Sequence, residues 1–465
     1  MNAPIPPVDG NGELFEPPAF EAYYDAGRRL YLARNPNQRW LFLAEEQFKK
    51  RLRAAGYRSR AIDGELIAPA DQVTLWLQDH RDVNYAAPLA GHVSGFYENN
   101  GARYLVTDSP RFITPERGQW PILRKVLENL FVRNEPMHGR RQWHTLLVWI
   151  KGTVEALRAG KTKEAQALAM AGPPQSGKSL LQRLLTYLLG GRECKPFLFL
   201  SGKTPFNAEL FEAEHLMLED EHMSRRLPDR LALGAAIKGI VANETHHCHR
   251  KNCTGISLRP FWRLTITLNN EPEALLVLPP LDEHVADKIV LMRASRFDLP
   301  MPTVTHDDRS AFWQQLMGEL PAFLHYLLHE YKPPAELRDA RYVVAGWHHP
   351  ELAEALHGLS PAAALLGLID YLAPWGAAGK EWEGTADELR AQLFQNGGTG
   401  TDARRLLEWP QACGNYLATL AKKNPARVQA HRTNTARLWI VRAPLKSLAM
   451  QKSTVTASPT DSVTP

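Results

Sequence analysis

The sequence predicts an α/β protein with a three-layer core built around a phosphate-binding loop, and three observations carry that expectation. Ala167 to Ala171 is a short apolar run of buried-strand character. Gly172-Pro173-Pro174-Gln175-Ser176-Gly177-Lys178-Ser179 follows at once and matches G-x-x-x-x-G-K-[ST]. Ser179 to Leu189 then reads as a helix stopped by Gly190 and Gly191. The loop thus lies between a strand and a helix N-terminus, the context in which backbone N–H groups converge on a polyphosphate. Gly172 and Gly177 let the chain turn inward. Lys178 is expected on the β- and γ-phosphates and the Ser179 hydroxyl on Mg²⁺, which makes ATP and Mg²⁺ the expected cofactors.

The rest of the composition narrows the class. Hydrophobic residues at 44% and charged residues at 23% over 465 residues are ordinary for a globular chain of about three domains. No apolar run approaches the ~18 residues of a membrane helix, so no membrane partner is expected. The N-terminus, Met1-Asn2-Ala3-Pro4-Ile5-Pro6-Pro7, lacks the basic and apolar regions of a signal peptide. Four cysteines do not suggest a disulfide framework, and a reducing, cytoplasmic location is expected. The net charge is +5, but Thr401 to Lys446 holds nine Lys and Arg against Asp402 and Glu408. That end alone is +7, leaving the remainder at −2, and such a basic module suggests a polyanionic partner.

In chain order, residues 1–18 are Pro- and Gly-rich and read as disordered. Residues 19–118 read as an accessory α+β domain, with a strand at Arg39–Leu43, a helix at Glu45–Ala55 and short strands between Ala87 and Thr107. A helical collar follows over 119–161, with helices at Pro121–Phe131 and Gln142–Leu157. The phosphate-loop domain spans 162–335, and a helix at Ser310–Tyr331 ends it before Pro333-Pro334. Residues 336–446 read as a helical and winged-helix domain, opening near Ser360–Tyr371 where Ser360 caps and Pro361 fits the first turn. The Ser/Thr/Pro-rich tail, 447–465, reads as disordered.

Triphosphate hydrolysis needs an acid at a strand end and a group that orients water. His215-Leu216-Met217-Leu218 supplies a strand ending in Glu219-Asp220-Glu221. Asp220 is expected in the Mg²⁺ shell, Glu219 on the attacking water, and Glu221 in reserve. A further strand, Trp262 to Leu268, ends in Asn269-Asn270, where a carboxamide beside the loop suits a water-holding or γ-phosphate-sensing role; a plain Asn turn is the alternative. Between these strands lies His246-His247-Cys248-His249-Arg250-Lys251-Asn252-Cys253. A zinc site is disfavoured there, because strand alternation would splay the ligands onto opposite faces. A β-hairpin with a basic tip is the better reading, and such a tip suits a nucleic-acid backbone.

Together these stretches resemble the superfamily 3 helicases, the AAA+-type replicative motors of small DNA viruses and of phage and plasmid proteins related to the poxvirus-type primase-helicase. The resemblance covers about Lys151 to Arg296. GPPQSGKS at 172–179, LMLEDE at 216–221, IKGIVANE at 237–244 and RPFWRLTITLNNEP at 259–272 carry it. It implies a sensor role for Asn269, a DNA-binding lysine at Lys238, and a DNA-binding channel hairpin with His249, Arg250 and Lys251 at its tip. It also implies an arginine finger supplied between subunits. Lys288 stands where that arginine is expected, and a lysine cannot make the planar two-pronged contact, so Lys288, Arg293 and Arg296 all remain candidates. A homo-oligomeric ring, a hexamer, around single-stranded DNA is implied, acting on forked DNA. The residues before 151 show no primase motif, so a separate primase or polymerase is expected as a partner.

The basic end reads as three helices and a hairpin, a winged-helix arrangement similar to that following the motor in phage-type relatives. Its helices include Asp402–Leu407 and Ala412–Lys423, and its two strands flank Thr433-Asn434-Thr435. Lys422, Lys423, Arg427 and Arg432, with Arg404, Arg405 and Arg437, are candidate duplex-phosphate contacts. The leading expectation is an ATP-driven helicase for replication of a phage, plasmid or other mobile element. The alternatives are a signalling or defence NTPase that assembles on ATP without unwinding, and a non-enzymatic initiator.

Overall fold

The computed structural model describes residues 20–63, 66–99, 101–161, 163–219, 227–282, 284–372, 381–433 and 436–443. The expected disordered ends, Asp220, Glu221 and the Asn434–Thr435 turn lie outside these residues. The chain forms two compact units, Met1–His349 and Pro350–Pro465. Residues 336–349, expected with the second domain, pack in the first: Leu337, Val343 and Val344 belong to its main core.

The first unit begins with β1 (Ala22–Asp25), β2 (Leu30–Arg34), β3 (Trp40–Leu43), α1 (Glu45–Ala54), α2 (Pro69–His80) and β4 (Asp82–Val83). These strands make one sheet in the order β3-β2-β1-β4. One face is covered by α1 and α2, where Phe48, Leu52, Val73 and Leu77 pack on Tyr31 and Ala33. β5 (Tyr85–Ala87), β6 (Gly95–Asn99) and β7 (Ala102–Val106) form a second sheet, β5-β7-β6. Its Leu105 and Ala86 meet Leu32 on the other face of the first.

Two helices, α3 (Pro121–Phe131) and α4 (Gly139–Arg158), lead into the central sheet. The bare N-terminus of α3 is capped from a distance: the buried Glu319 carboxylate accepts from the N–H groups of Ile122 (3.3 Å) and Leu123 (2.7 Å). Then come β8 (Ala167–Ala171), α5 (Lys178–Leu188), β9 (Glu193–Cys194), α6 (Phe197–Leu200), β10 (His215–Glu219), α7 (Leu227–Ala242), β11 (His246–Cys248), β12 (Ile256–Leu258), β13 (Arg263–Leu268), α8 (Pro272–Leu275), β14 (Ile289–Arg293) and α9 (His306–His325). Five of these strands form a parallel sheet in the order β14-β8-β13-β10-β9. Every residue of β8 and β13 is buried, as expected for parallel strands covered on both faces. Leu168, Met170, Val290 and Met292 pack with α3, α4, α5 and α9 in the largest core, while α7 lies against β13.

The second unit contains α10 (Pro350–Gly358), α11 (Pro361–Leu372), β15 (Trp382–Gly384), α12 (Ala386–Gln395), α13 (Gly400–Leu406), α14 (Ala412–Lys423), β16 (Val428–Arg432) and β17 (Arg437–Val441). Ser360 caps α11 by accepting from the Ala363 N–H at 3.2 Å. The strands form an antiparallel sheet in the order β15-β17-β16, and α14 packs against α11, α12 and β16.

Candidate nucleotide site and basic hairpin

The parallel register brings four strand ends to one edge of the sheet. Ala171 of β8 pairs with Leu268 of β13 and Arg293 of β14, and Glu219 of β10 pairs with Thr267. Gly172, Asn269 and Glu219 therefore sit at the tips of three neighbouring strands. The Gly172 N–H donates to the Leu268 carbonyl at 3.2 Å, and the Ala294 N–H to the Ala171 carbonyl at 2.7 Å.

The loop after β8 is tightly determined. A Cβ on Gly172 would come within 2.3 Å of the Ala294 carbonyl oxygen. Gln175 (φ 59°) and Gly177 (φ 94°) take left-handed conformations. Lys178 is buried at the first turn of α5, its ammonium donating to the carbonyls of Gly172 (2.8 Å) and Pro173 (2.9 Å) and to Ser176 Oγ (3.3 Å). The ammonium is thus held inside the loop's own curve. A cavity of about 490 Å³ opens from it, lined by Pro174 to Leu180 and by Glu219 and Thr267. Arg183, Phe297, Arg309, Phe312 and Trp313 also line it.

The donor set fits a triphosphate: a buried ammonium, Ser179 facing the cavity, two further guanidinium groups and a helix N-terminus. Glu219 reaches the same cavity and is paired with Lys195. Asp220, the expected metal ligand, is outside the described residues. Among the described residues the buried Asn269 Oδ1 has no hydrogen-bond partner. Buried carbonyl oxygens are rarely left so, and this one belongs to the residue expected to engage water or phosphate.

Beneath the loop lies a buried polar ladder that the sequence did not announce. Gln182 of α5 donates to Thr265 Oγ1 at 2.8 Å, and the Thr265 hydroxyl also meets His215 Nε2 at 2.9 Å. His215 Nδ1 lies 2.8 Å from Thr186 Oγ1, which donates to Glu193 Oε2 at 2.9 Å. Complete burial pulls the His215 pKa down to about 3, so the ring is neutral.

The three finger candidates fall in different places. Lys288 precedes β14, at the opposite end of that strand from Arg293, roughly 15 Å away at strand rise. It is buried, paired with Asp287 and set over the Tyr342 ring. Burial alone would lower its pKa, but the Asp287 and Tyr342 contacts outweigh that and raise it. Arg293 stands at the loop edge of the sheet and meets Glu135 at 3.2 Å. Arg296 is exposed just beyond.

The expected hairpin is present as β11 and β12, with Cys248 opposite Ile256. His249 is anchored: its N–H donates to Asn207 Oδ1 at 2.7 Å and its ring tilts against Phe206. Arg250 pairs with Glu212 at 3.3 Å and lies 5.3 Å above the Tyr85 ring. Lys251 is exposed at the tip, followed by Asn252 at φ 60°. Among the described residues no His, Cys, Asp or Glu group is arranged for a metal ion. Lys238 is exposed on α7.

In the second unit Lys422 and Lys423 are exposed at the end of α14, with Lys423 Nζ 3.3 Å from His357 Nδ1. Arg432 is exposed at the end of β16. Arg427 differs: its guanidinium makes a two-pronged pair with Asp370 (3.1 and 2.6 Å) and donates to the Arg442 carbonyl. It is committed to the fold of its own unit. Arg183 could have been anticipated, since it lies four residues after Ser179 on one helix face. Lys195 and Arg309 could not, because only tertiary structure brings them to the site.

The sequence matches no protein-family model and no curated protein. The fold does have solved counterparts. The apo structure of the NrS-1 C-terminal region (305–718) aligns with a TM-score of 0.51 at 13% identity, covering 91% of this chain and 96% of that one. The A form apo structure of the same region aligns at 0.50 and 12%, covering 91% and 97%. The SCCmec type IV Cch active helicase aligns only at 0.28 and 9% identity, over 88% of this chain and 74% of its own, too distant to carry an argument. The chain therefore shares its fold with the NrS-1 C-terminal region over nearly its whole length.

Proposed function

We propose that the chain is an ATP-driven DNA motor, a superfamily 3-type helicase serving replication of a phage, plasmid or other mobile element. The observation that carries the reading is that Lys178 and Glu219 line one cavity of about 490 Å³ while Asn269 stands at the strand tip between theirs. In this reading Lys178 and the loop N–H groups hold ATP, and Ser179 with Asp220 holds Mg²⁺, which offsets charge on the phosphates. Glu219, steadied by Lys195, polarises the attacking water, and Asn269 orients it. The Lys251 tip grips one DNA strand. The subunits form a ring, a hexamer, with Arg293 or Arg296 as the group offered to a neighbour. The second unit is a winged-helix module, with α14 and the exposed Lys422, Lys423 and Arg432 against duplex phosphates.

The test is kinetic. Lys178→Ala should lose ATP turnover and unwinding of a forked duplex together. Lys251→Ala should keep basal hydrolysis and lose its stimulation by single-stranded DNA. A Lys251→Ala chain that unwinds at the wild-type rate removes the hairpin from the mechanism. A wild-type chain that assembles with ATP and never unwinds a fork favours the switch-type NTPase.

A further inference from the structure

The face of the β3-β2-β1-β4 sheet turned away from α1 and α2 carries a chain of aromatic rings with arginines laid over them. Cross-strand register puts Tyr23, Leu32 and Phe42 in one row and Arg34 and Trp40 in the next. Leu32 at the centre is sealed by Val83, Ala86 and Leu105. The rim is open: Phe42 is 37% exposed and Phe96 of β6 is 43% exposed. Phe96, Tyr23 and Trp40 are in ring contact, and Phe42 stands across Leu32 from Tyr23. Phe96 stacks on Tyr23 at 5.7 Å and 11°, and Tyr23 meets Trp40 edge-on at 5.8 Å. Arg81 lies 5.8 Å from Tyr23, Arg34 5.1 Å from Trp40 and Arg28 4.6 Å from Phe42.

Two of these guanidinium groups are neutralised within the sheet, Arg34 by Glu21 and Arg28 by Asp25. Arg81 lies over Tyr23 and Trp76, with no carboxylate or hydrogen-bond acceptor among the described residues. Flat apolar rings beside an uncompensated cation suit a ligand with flat faces and negative charge. An apolar protein segment would desolvate Arg81 without a counter-charge. A duplex keeps its base faces stacked inside and cannot offer them. An unpaired strand offers both, bases to the rings and phosphate to the arginines, whatever its sequence.

The surface is also next to the hairpin. Arg28 donates to the Ala86 carbonyl, and the neighbouring Tyr85 ring carries Arg250. We propose that this face is a single-strand binding platform, extending from the hairpin tip and holding unstacked bases against Phe42, Trp40, Tyr23 and Phe96. The proposal rests on the reading of the chain as a motor on DNA.

The experiment measures fluorescence anisotropy of labelled oligothymidylates of roughly 8 and 30 nucleotides with the full chain. It compares wild type, the double variant Phe42→Ala/Phe96→Ala, Phe42→Tyr and Lys251→Ala, each checked for an unchanged melting temperature. Stacking contributions make the double variant bind the long strand roughly tenfold more weakly, while Phe42→Tyr keeps wild-type affinity. Wild-type affinity in the double variant, with the loss confined to Lys251→Ala, overturns the platform and leaves the motor reading standing. Weak binding by the double variant beside normal binding by Lys251→Ala keeps the platform and removes the hairpin. A wild-type chain that binds neither oligonucleotide ends both.

Discussion

At the scale of single residues, Gly172 has the least latitude in the molecule's candidate site. Its α-carbon faces the Ala294 backbone so closely that a methyl group has nowhere to go. Gly172→Ala must therefore push the loop off the end of β14 or open the sheet. Overpacking of this kind costs about 1–3 kcal/mol. The variant should fold with a melting temperature a few degrees lower and lose nucleotide affinity by far more than that shift accounts for, read by calorimetry and by binding of a fluorescent ATP analogue. Unchanged nucleotide affinity would show that the loop does not hold the phosphates. The glycine, Lys178 and Ser179 were legible in the sequence because the motif's function is local: backbone turning and a helix N-terminus need only adjacent residues. Arg427 was misleading for the converse reason. Its positive charge in a basic stretch suggests phosphate, but Asp370, distant in sequence, already holds it.

At the scale of elements, α5, β10 and β13 are joined in the interior by hydroxyl, amide and imidazole groups. The consequence is a pH dependence with a definite sign. His215 is neutral when folded, its pKa pulled by burial from 6.5 to about 3. Below pH 6.5 the unfolded chain takes up a proton that the fold refuses. Stability is thus full above that pH and is lost as pH falls from 6.5 toward 3, with a limiting slope of about 1.4 kcal/mol per unit. Thermal melts across this window should show a shallower decline for His215→Gln than for wild type; His92, His144, His246 and His348, whose pKa values burial also lowers, contribute to the slope that remains. Identical slopes would remove His215 as the responsible group. The sequence marked β8, β10 and β13 because each is an apolar run ending in chemistry-bearing residues. It did not mark β14, whose four apolar residues carry no period or turn signal to separate strand from helix. It also missed α2, where Ala and polar residues dilute the apolar stripe.

At the scale of the whole molecule, the chain divides at His349 and each unit has its own buried residues. A chain ending at residue 349 should fold cooperatively and keep basal ATP turnover within about twofold, since every described residue of the candidate nucleotide site lies before the division. Its affinity for duplex DNA should fall sharply, measured by filter binding at fixed salt. Duplex affinity equal to that of the full chain would move the contact out of the second unit. The N-terminal sheets belong to the larger unit, and their attachment is specific. The fully buried Glu214 accepts from the Gly91 N–H at 2.8 Å and pairs with Arg192, which also reaches the carbonyls of Leu89 and Asp108. Glu214 immediately precedes β10, and Glu219 ends it. A single extended strand therefore has the N-terminal module fastened at its root and Glu219, the carboxylate of the candidate site, at its tip. If the chain works on DNA as proposed, a pull on a strand held by the N-terminal sheets would load β10 at the end remote from Glu219. Load and hydrolysis would then meet on one strand, five residues long.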